Sequence, residues 1–201
     1  MILNRLSPWV RQINPSASPK SFSPADPHLM ESGSNPYVSH RKDQKMKQSF
    51  SLEQATQSDI PDLLELLKIL FEIENEFRFD PEKQAAGLRL LIDSDTSAVF
   101  LCREENSSRI LAMATVQLLI STAEGGLSAQ IEDVVVLPGS RKMGIGSRLL
   151  ELCRAWSIKR GARRMQLSAD DRNVEATKFY TQNGWIRSEM RIFRKGISET
   201  Q

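Results

Sequence analysis

Histidine and cysteine are scarce in this 201-residue chain. Both histidines, His28 and His40, lie within residues 1–47, so acid–base chemistry in the rest of the chain must use other side chains. The two cysteines, Cys102 and Cys153, cannot build a disulfide framework, and they predict reduced thiols in a cytoplasmic protein. Neither has a neighbouring base that would activate a nucleophile, and we expect no His/Cys zinc site and no metal.

Long apolar runs are also missing, and no stretch of 18 apolar residues predicts a membrane span.

The net charge of +2 is small because basic and acidic segments of the chain cancel one another. Residues 1–47 carry seven Lys or Arg and three Asp or Glu, residues 48–138 carry six and sixteen, and residues 139–201 carry fourteen and six. A nucleic-acid binder would not match its basic surface with an equally large acidic block, so we expect no nucleic-acid partner.

The first 47 residues differ in composition from the remainder and contain six of the nine prolines. Such a segment buries too little apolar surface to offset the entropy of ordering, which predicts a disordered tail. The lack of acidic residues in 1–25 is also compatible with an organellar transit peptide, and a start of translation at Met30 or Met46 is a third reading. We expect one folded domain over residues 48–201.

The hydrophobic pattern of this domain predicts a mixed α/β fold with one central sheet. Helices are expected over residues 58–71, 81–92, 144–159 and 173–182. Strands are expected over residues 50–56, 98–103, 110–121, 127–137, 164–168 and 185–194, which gives the order βααβββαβαβ.

Residues 131–150 read as a valine-rich strand, a turn and the start of a helix with glycines at 144 and 146. The backbone amides and the dipole at such a helix N-terminus favour an anion, and glycine leaves the amides accessible to a phosphate. The segment is not a P-loop, because no Gly-Lys-Ser/Thr follows, and it lacks the third glycine of the dinucleotide fingerprint.

Two motifs together resemble the GNAT acyltransferase superfamily. Arg141-Lys-Met-Gly144-Ile-Gly146 is similar to the pyrophosphate-binding pattern of that family. Asn173-Val-Glu-Ala-Thr-Lys-Phe-Tyr180-Thr-Gln-Asn-Gly184-Trp is similar to its second signature. The resemblance covers roughly residues 50–195. It implies a central sheet whose middle strands splay apart, with acetyl-coenzyme A bound in the opening as acyl donor.

The resemblance also implies individual roles. The backbone amides of Val134, Val135 and Val136 would pair with the pantetheine arm, and that of Val134 would polarise the thioester carbonyl. Asn173 would contact pantetheine or order the last helix, and Tyr180 would protonate the departing thiolate or serve only as a packing aromatic. The pyrophosphate would lie on the backbone of Arg141, Lys142, Met143, Gly144, Ile145, Gly146 and Ser147.

An amine is mostly protonated at neutral pH, so the reaction needs a base. Glu132 and Asp133 lie before the valine run, and their side chains point to opposite faces unless a bulge intervenes. A similar pair in the polyamine-acetylating branch of the family supports Glu132 as base and Asp133 as acceptor contact. The alternative for either acid is a strand-end carboxylate paired with an arginine of the basic half.

An acidic connector, residues 72–80, joins the first two predicted helices, and in this family the corresponding segment lines the acceptor pocket. Its acids, among them Glu74 and Glu76, alternate with apolar residues. This pattern suits a cationic amine with an apolar stem, and it equally suits a solvated loop with apolar anchors.

The sequence thus predicts an acetyl-coenzyme A-dependent N-acetyltransferase acting on a small cationic amine. A protein or peptide N-acetyltransferase and a non-catalytic coenzyme-binding module are the alternatives. No membrane partner is expected, and homodimers are common in the family.

Overall fold

The structure, a computed structural model, describes residues 49–74 and 77–197. The expected tail, with its boundary at residue 48, lies outside the described residues, and so does Glu76 of the acidic connector. No helix within the described ranges has the length and apolar character needed to cross a membrane.

Within the described residues, five strands form one sheet in sequence order, and four α-helices pack around it. Neighbouring strands are antiparallel except β4 and β5, which are parallel. The strands are β1 (Phe50–Gln54), β2 (Ser97–Glu104), β3 (Ile110–Ser121), β4 (Gly126–Val136) and β5 (Ala162–Leu167). The helices are α1 (Ile60–Ile73), α2 (Pro81–Asp93), α3 (Ile145–Lys159) and α4 (Val174–Gln182).

Both faces of the sheet are covered, as its central strands show. In β2, Phe100 and Cys102 pack in the core on the α3 face, whereas Val99 and Leu101 pack against α1 and α2. Because successive side chains of a strand alternate between faces, a strand buried on both sides reads as a continuous apolar run. The apolar sequence of β2 is therefore the expected signature of its position.

The starts of the first two helices follow from their sequences. Asp80 caps α2, since its carboxylate accepts hydrogen bonds from the backbone N–H groups of Glu82 at 3.2 Å and Lys83 at 3.3 Å. Pro81 occupies the first turn, where no N–H partner is needed. Before α1, Thr56 and Asp59 form a reciprocal capping box. The Asp80 cap fixes where the connector between the two helices ends.

The predicted α/β fold with a central sheet is confirmed, but the strand expected over residues 185–194 is not formed. The sheet instead ends at β5. Ile186, Met190 and Phe193 are 68%, 89% and 93% exposed, so the segment buries little apolar surface that would hold it against the sheet edge. Adjacent Ile192 and Phe193 also break the two-residue period of a half-buried strand.

The middle strands splay, as the fold prediction required. Pairing between β4 and β5 ends at Ile131 with Leu167, and β4 continues for the five residues 132–136 beyond that pair. One side of this extension still pairs with β3. The other side opens a gap in the sheet, and the candidate site lies around it.

Candidate active site

The end of β4 presents backbone N–H groups to the gap. The Leu137 N–H donates to the Leu111 carbonyl of β3 at 2.8 Å. Since successive N–H groups of a strand point to alternate sides, the N–H of Val135 also faces β3, and those of Val134 and Val136 face the gap. The amide of Val135 therefore faces away from the gap, whereas the family resemblance predicted that it would pair with the pantetheine arm. Its side chain is buried against α1 and α2.

A β-bulge precedes these valines. Thr115 of β3 pairs with Glu132 and Met113 pairs with Val135, so β4 contains one residue more than β3 over this stretch. The extra residue is accommodated at Asp133, whose φ of 50° lies in the left-handed region that aspartate tolerates better than most residues.

The bulge decides where the two acids point. Ile131 packs on the α3 face, so Glu132 points to the opposite face. Asp133 lines a cleft between α1 and α2 and therefore lies on that same face. Val134 then returns to the α3 side. The two carboxyl groups thus share a face of the sheet, in the arrangement that the sequence left conditional on a bulge.

The surroundings of the two acids differ. Glu132 is exposed, whereas Asp133 is half-buried and accepts a hydrogen bond from the Thr115 hydroxyl at 3.2 Å. Burial raises the pKa of Asp133 to about 6, and the charges of Glu132 and Glu74 act in the same direction. The hydrogen bond from Thr115 opposes this shift. One feature of the sequence could have indicated this contact, namely Thr115, a hydroxyl residue within the otherwise apolar first part of β3.

Glu74, at the end of α1, lies near the two acids of β4. Glu74 follows α1, and its N–H donates to the Leu70 carbonyl at 3.0 Å. Burial raises the pKa of Glu74, Arg194 lowers it, and the charges of Asp170 and Glu132 raise it. The connector acid therefore faces the same region as the β4 acids.

Tyr180 lies on α4 between two other rings, with centroid distances of 5.3 Å to Phe179 and 6.1 Å to Trp185. Burial raises the pKa of its hydroxyl to about 12, and the charge of Glu74 contributes to the shift. The phenol is thus protonated at neutral pH and can donate a hydrogen bond or a proton.

The turn between β4 and α3 leaves the start of the helix open. Gly144 takes a φ of 78°, which favours glycine, and no side chain caps the first turn of α3. A Cβ on Gly146 would lie 3.0 Å from Cζ of Phe179, so this position needs glycine for close approach. Ile145 anchors the helix start in the core, and the Arg141 guanidinium donates to the Val136 carbonyl at 3.2 Å. These open amides fit an anionic group such as a pyrophosphate.

Asn173 caps α4, because its side-chain carbonyl accepts from the Ala176 N–H at 3.0 Å. Asn173 therefore orders the last helix, which is one of its two expected roles.

The cysteines Cys102 and Cys153 are buried and free. Burial raises the pKa of their thiols to about 11 and about 12, which leaves both as unreactive core residues.

A cleft of about 170 Å³ opens between α1 and α2 beside Asp133. The sequence did not indicate it, because its walls come from ordinary amphipathic helices. Its lining residues are Leu67, Phe71, Lys83, Gln84, Gly87, Leu88, Leu91 and Asp133.

The sequence model of the acetyltransferase (GNAT) family matches residues 62–185. The chain belongs to this family. An uncharacterized N-acetyltransferase of Methanocaldococcus jannaschii is 27% identical to this GNAT protein over 154 residues, which span 72% of the chain and 68% of that relative.

Solved structures show the same fold. An aminoglycoside acetyltransferase from an uncultured soil metagenomic sample, in complex with sisomicin, superposes with a TM-score of 0.61 at 21% identity, covering 74% of this chain and 97% of that one. The aminoglycoside N-acetyltransferase AAC(6')-Iy in complex with CoA gives a TM-score of 0.66 at 17% identity, covering 76% and 97%. At these identities the likeness establishes the GNAT fold.

Proposed function

We propose that this GNAT protein is an acetyl-coenzyme A-dependent N-acetyltransferase that transfers the acetyl group directly to a small cationic amine. The observation that carries the proposal is the gap beside the end of β4. It has the amides of Val134 and Val136 on one side and a group of carboxyls, Glu74, Glu132 and Asp133, close by. The neighbouring structures with CoA and with sisomicin support this class of donor and acceptor.

The donor side uses backbone groups. Acetyl-coenzyme A supplies an acyl group activated as a thioester. The N–H of Val134 donates to the carbonyl oxygen on which negative charge develops, and the N–H of Val136 pairs with the pantetheine arm. The open first turn of α3 holds the pyrophosphate on the backbone of Arg141, Lys142, Met143, Gly144, Ile145, Gly146 and Ser147.

The acceptor side uses carboxyl groups. A base works best when its pKa lies near the operating pH. Asp133, with a pKa of about 6, fits this role better than the exposed Glu132, whereas the sequence favoured the opposite assignment. We therefore assign proton acceptance to Asp133 and attraction of the ammonium group to Glu132 and Glu74.

Tyr180 completes the transfer on the leaving side. Asp133 first takes one proton from the bound ammonium group and releases it to solvent. As the carbon–nitrogen bond then forms and the carbon–sulfur bond breaks, the second amine proton passes to Asp133 and the sulfur takes a proton from Tyr180. Tyr180 and Asp133 return to their starting states by exchange with solvent, and one proton is released overall. A phenol with a pKa of about 12 is a weak acid for a thiolate, so its hydrogen bond to the developing charge matters as much as its proton.

The test is incubation of the purified full chain with acetyl-coenzyme A and a panel of diamines, aminoglycosides, amino acids and peptides, with free thiol as the readout. We expect thiol release that depends on an amine and is fastest with small cations. Tight coenzyme binding without thiol release for any acceptor would contradict the proposal and favour a binding module.

A further inference from the structure

The cleft between α1 and α2 is lined mainly by apolar residues and includes one carboxyl group. Leu67 and Phe71 of α1 face Leu88 and Leu91 of α2 across it, and Asp133 of β4 lines it as well. An apolar cleft with few polar groups is the usual form of a small-molecule site. Because Asp133 directly precedes Val134, the cleft begins beside the amide that faces the gap.

Gly87 keeps one wall of the cleft open. It lies in the interior of α2, where glycine is unfavourable for a helix, and a Cβ built on it would meet no atom within 4 Å. The adjacent Ala86 is exposed, so position 86 faces the solvent whereas position 87 faces the cleft. A side chain larger than glycine at position 87 would occupy the cleft.

The charges of the cleft are complementary to an amine. The structure gives Asp133 one hydroxyl donor, Thr115, and no ion pair among the described residues. The lysine of the cleft, Lys83, has its ammonium group 3.4 Å from the Asp80 carboxylate, which offsets its charge. Its aliphatic stem is left to line the cleft.

We propose that this cleft binds the apolar arm of the acceptor, a primary amine with an arm of about six carbon atoms whose amino group lies at Asp133. A dry protein cavity of about 150 Å³ lined by similar side chains holds a benzene ring, so a cleft of 170 Å³ takes an arm of this size. The inference rests on the proposed function, because it names the acceptor class for the same site.

The first test is the dependence of KM on arm length in the series from ethylamine to octylamine, together with phenethylamine. Each buried methylene contributes about fourfold in affinity. We expect KM to fall by about that factor per carbon up to about six carbons and then to level off. A KM that does not depend on arm length would overturn the proposal.

The second test places a side chain in the cleft. Gly87→Leu is expected to raise the KM of hexylamine at least tenfold and to leave that of ethylamine within twofold. Ala86→Leu places the same side chain on the exposed side of α2, and both KM values should stay at wild-type level. Equal effects of the two variants on hexylamine would overturn the proposal. Gly87→Ala, which adds one carbon, gives a smaller effect in the same direction if Gly87→Leu does not fold.

Calorimetric titration of hexylamine without acetyl-coenzyme A separates the two proposals. Binding to the wild type that is lost in Gly87→Leu and kept in Ala86→Leu supports the cleft even where no thiol is released. In that case only the transferase proposal fails. Equal affinities of the wild type for ethylamine and hexylamine would overturn the cleft assignment even in an active enzyme.

Discussion

At the scale of single residues, the Asp133 carboxyl is half-buried and accepts a hydrogen bond from the Thr115 hydroxyl at 3.2 Å. Burial raises the pKa of this carboxyl to about 6, and the neighbouring charges of Glu132 and Glu74 act in the same direction. A carboxyl in this state is ionised at neutral pH yet remains a stronger base than an ordinary surface aspartate. Two measurable consequences follow from this pKa.

The first consequence concerns the pH dependence of the rate. A base must be deprotonated to act, so wild-type kcat/KM should rise with pH through about 6 and then flatten until the amine itself titrates. Asp133→Asn should remove this step and lower kcat/KM by about 10²- to 10⁴-fold. Glu132→Gln is the matched control and should keep the step. A step that persists in Asp133→Asn would assign the base elsewhere.

The second consequence concerns stability. The pKa of Asp133 is raised from 3.8 to about 6 on folding, so between these values the unfolded chain ionises while the folded one keeps its proton. The contribution of Asp133 to the free energy of unfolding therefore falls as pH rises through this window, by on the order of 3 kcal/mol. Asparagine does not titrate, so Asp133→Asn should become more stable relative to wild type from pH 4 to pH 7. Urea unfolding at each pH measures the difference, and parallel profiles for the two proteins would contradict it.

At the scale of elements, the turn before α3 depends on close packing against α4. The Cβ of Gly146→Ala would lie 3.0 Å from Cζ of Phe179, whose ring packs at a tilt against that of Tyr180 with a centroid distance of 5.3 Å. Overpacking costs about 1–3 kcal/mol, which exceeds the gain in helix propensity of at most about 1 kcal/mol. We expect a net loss of about 1 kcal/mol in urea unfolding and a higher KM for acetyl-coenzyme A.

Gly139→Ala serves as the control for this prediction. Gly139 lies in the same turn, where an added Cβ meets no atom within 4 Å, and its backbone shows no positive φ. Neither stability nor KM should change in this variant. Equal losses in both variants would show that the turn needs glycine for a reason other than contact with Phe179.

The elements also show what the sequence could and could not predict. The start of α3 and the cap of α4 were predictable, because glycine at positive φ and asparagine at a helix N-terminus act locally. The bulge at Asp133 was not, since Ile-Glu-Asp-Val reads as an ordinary strand and only the register against β3 shows the extra residue. The sixth strand predicted over residues 185–194 does not form, because apolar side chains such as Met190 and Phe193 stay exposed and bury little surface that would hold the segment against the edge of β5.

At the scale of the whole molecule, the order of the four helices and of the first five strands followed from the spacing of the apolar residues, and the family comparison confirms the fold. The cleft was beyond reach of the same reasoning. Gly87 reads in the sequence as a slightly unfavourable residue of an otherwise regular helix, and only the packing of α1 against α2 shows that it borders open space. Pockets arise from tertiary packing, which short-range patterns do not encode.

The division of charge along the chain gives the last prediction. Residues 139–201, with fourteen basic and six acidic residues, contain the turn that would hold the polyanionic coenzyme, and residues 48–138, with six and sixteen, contain the acids of the acceptor side. Salt shortens the range of such attractions from about 10 Å at 0.1 M to about 3 Å at 1 M. The KM values of acetyl-coenzyme A and of ethylamine should therefore both rise with added potassium chloride.

The ratio of the KM values of ethylamine and hexylamine provides the internal control. Both amines carry one charge, so salt screens them equally, whereas the apolar contact of the longer arm with the α1–α2 cleft does not weaken with ionic strength. The ratio should stay constant or grow while the individual KM values rise. In this proposal, charge attracts both amines equally and apolar packing favours the longer arm. If the ratio of the two KM values falls towards one as salt is added, the preference for hexylamine is electrostatic and the proposal is contradicted. If the KM of acetyl-coenzyme A does not change with salt, the excess of basic residues in 139–201 does not contribute to coenzyme binding.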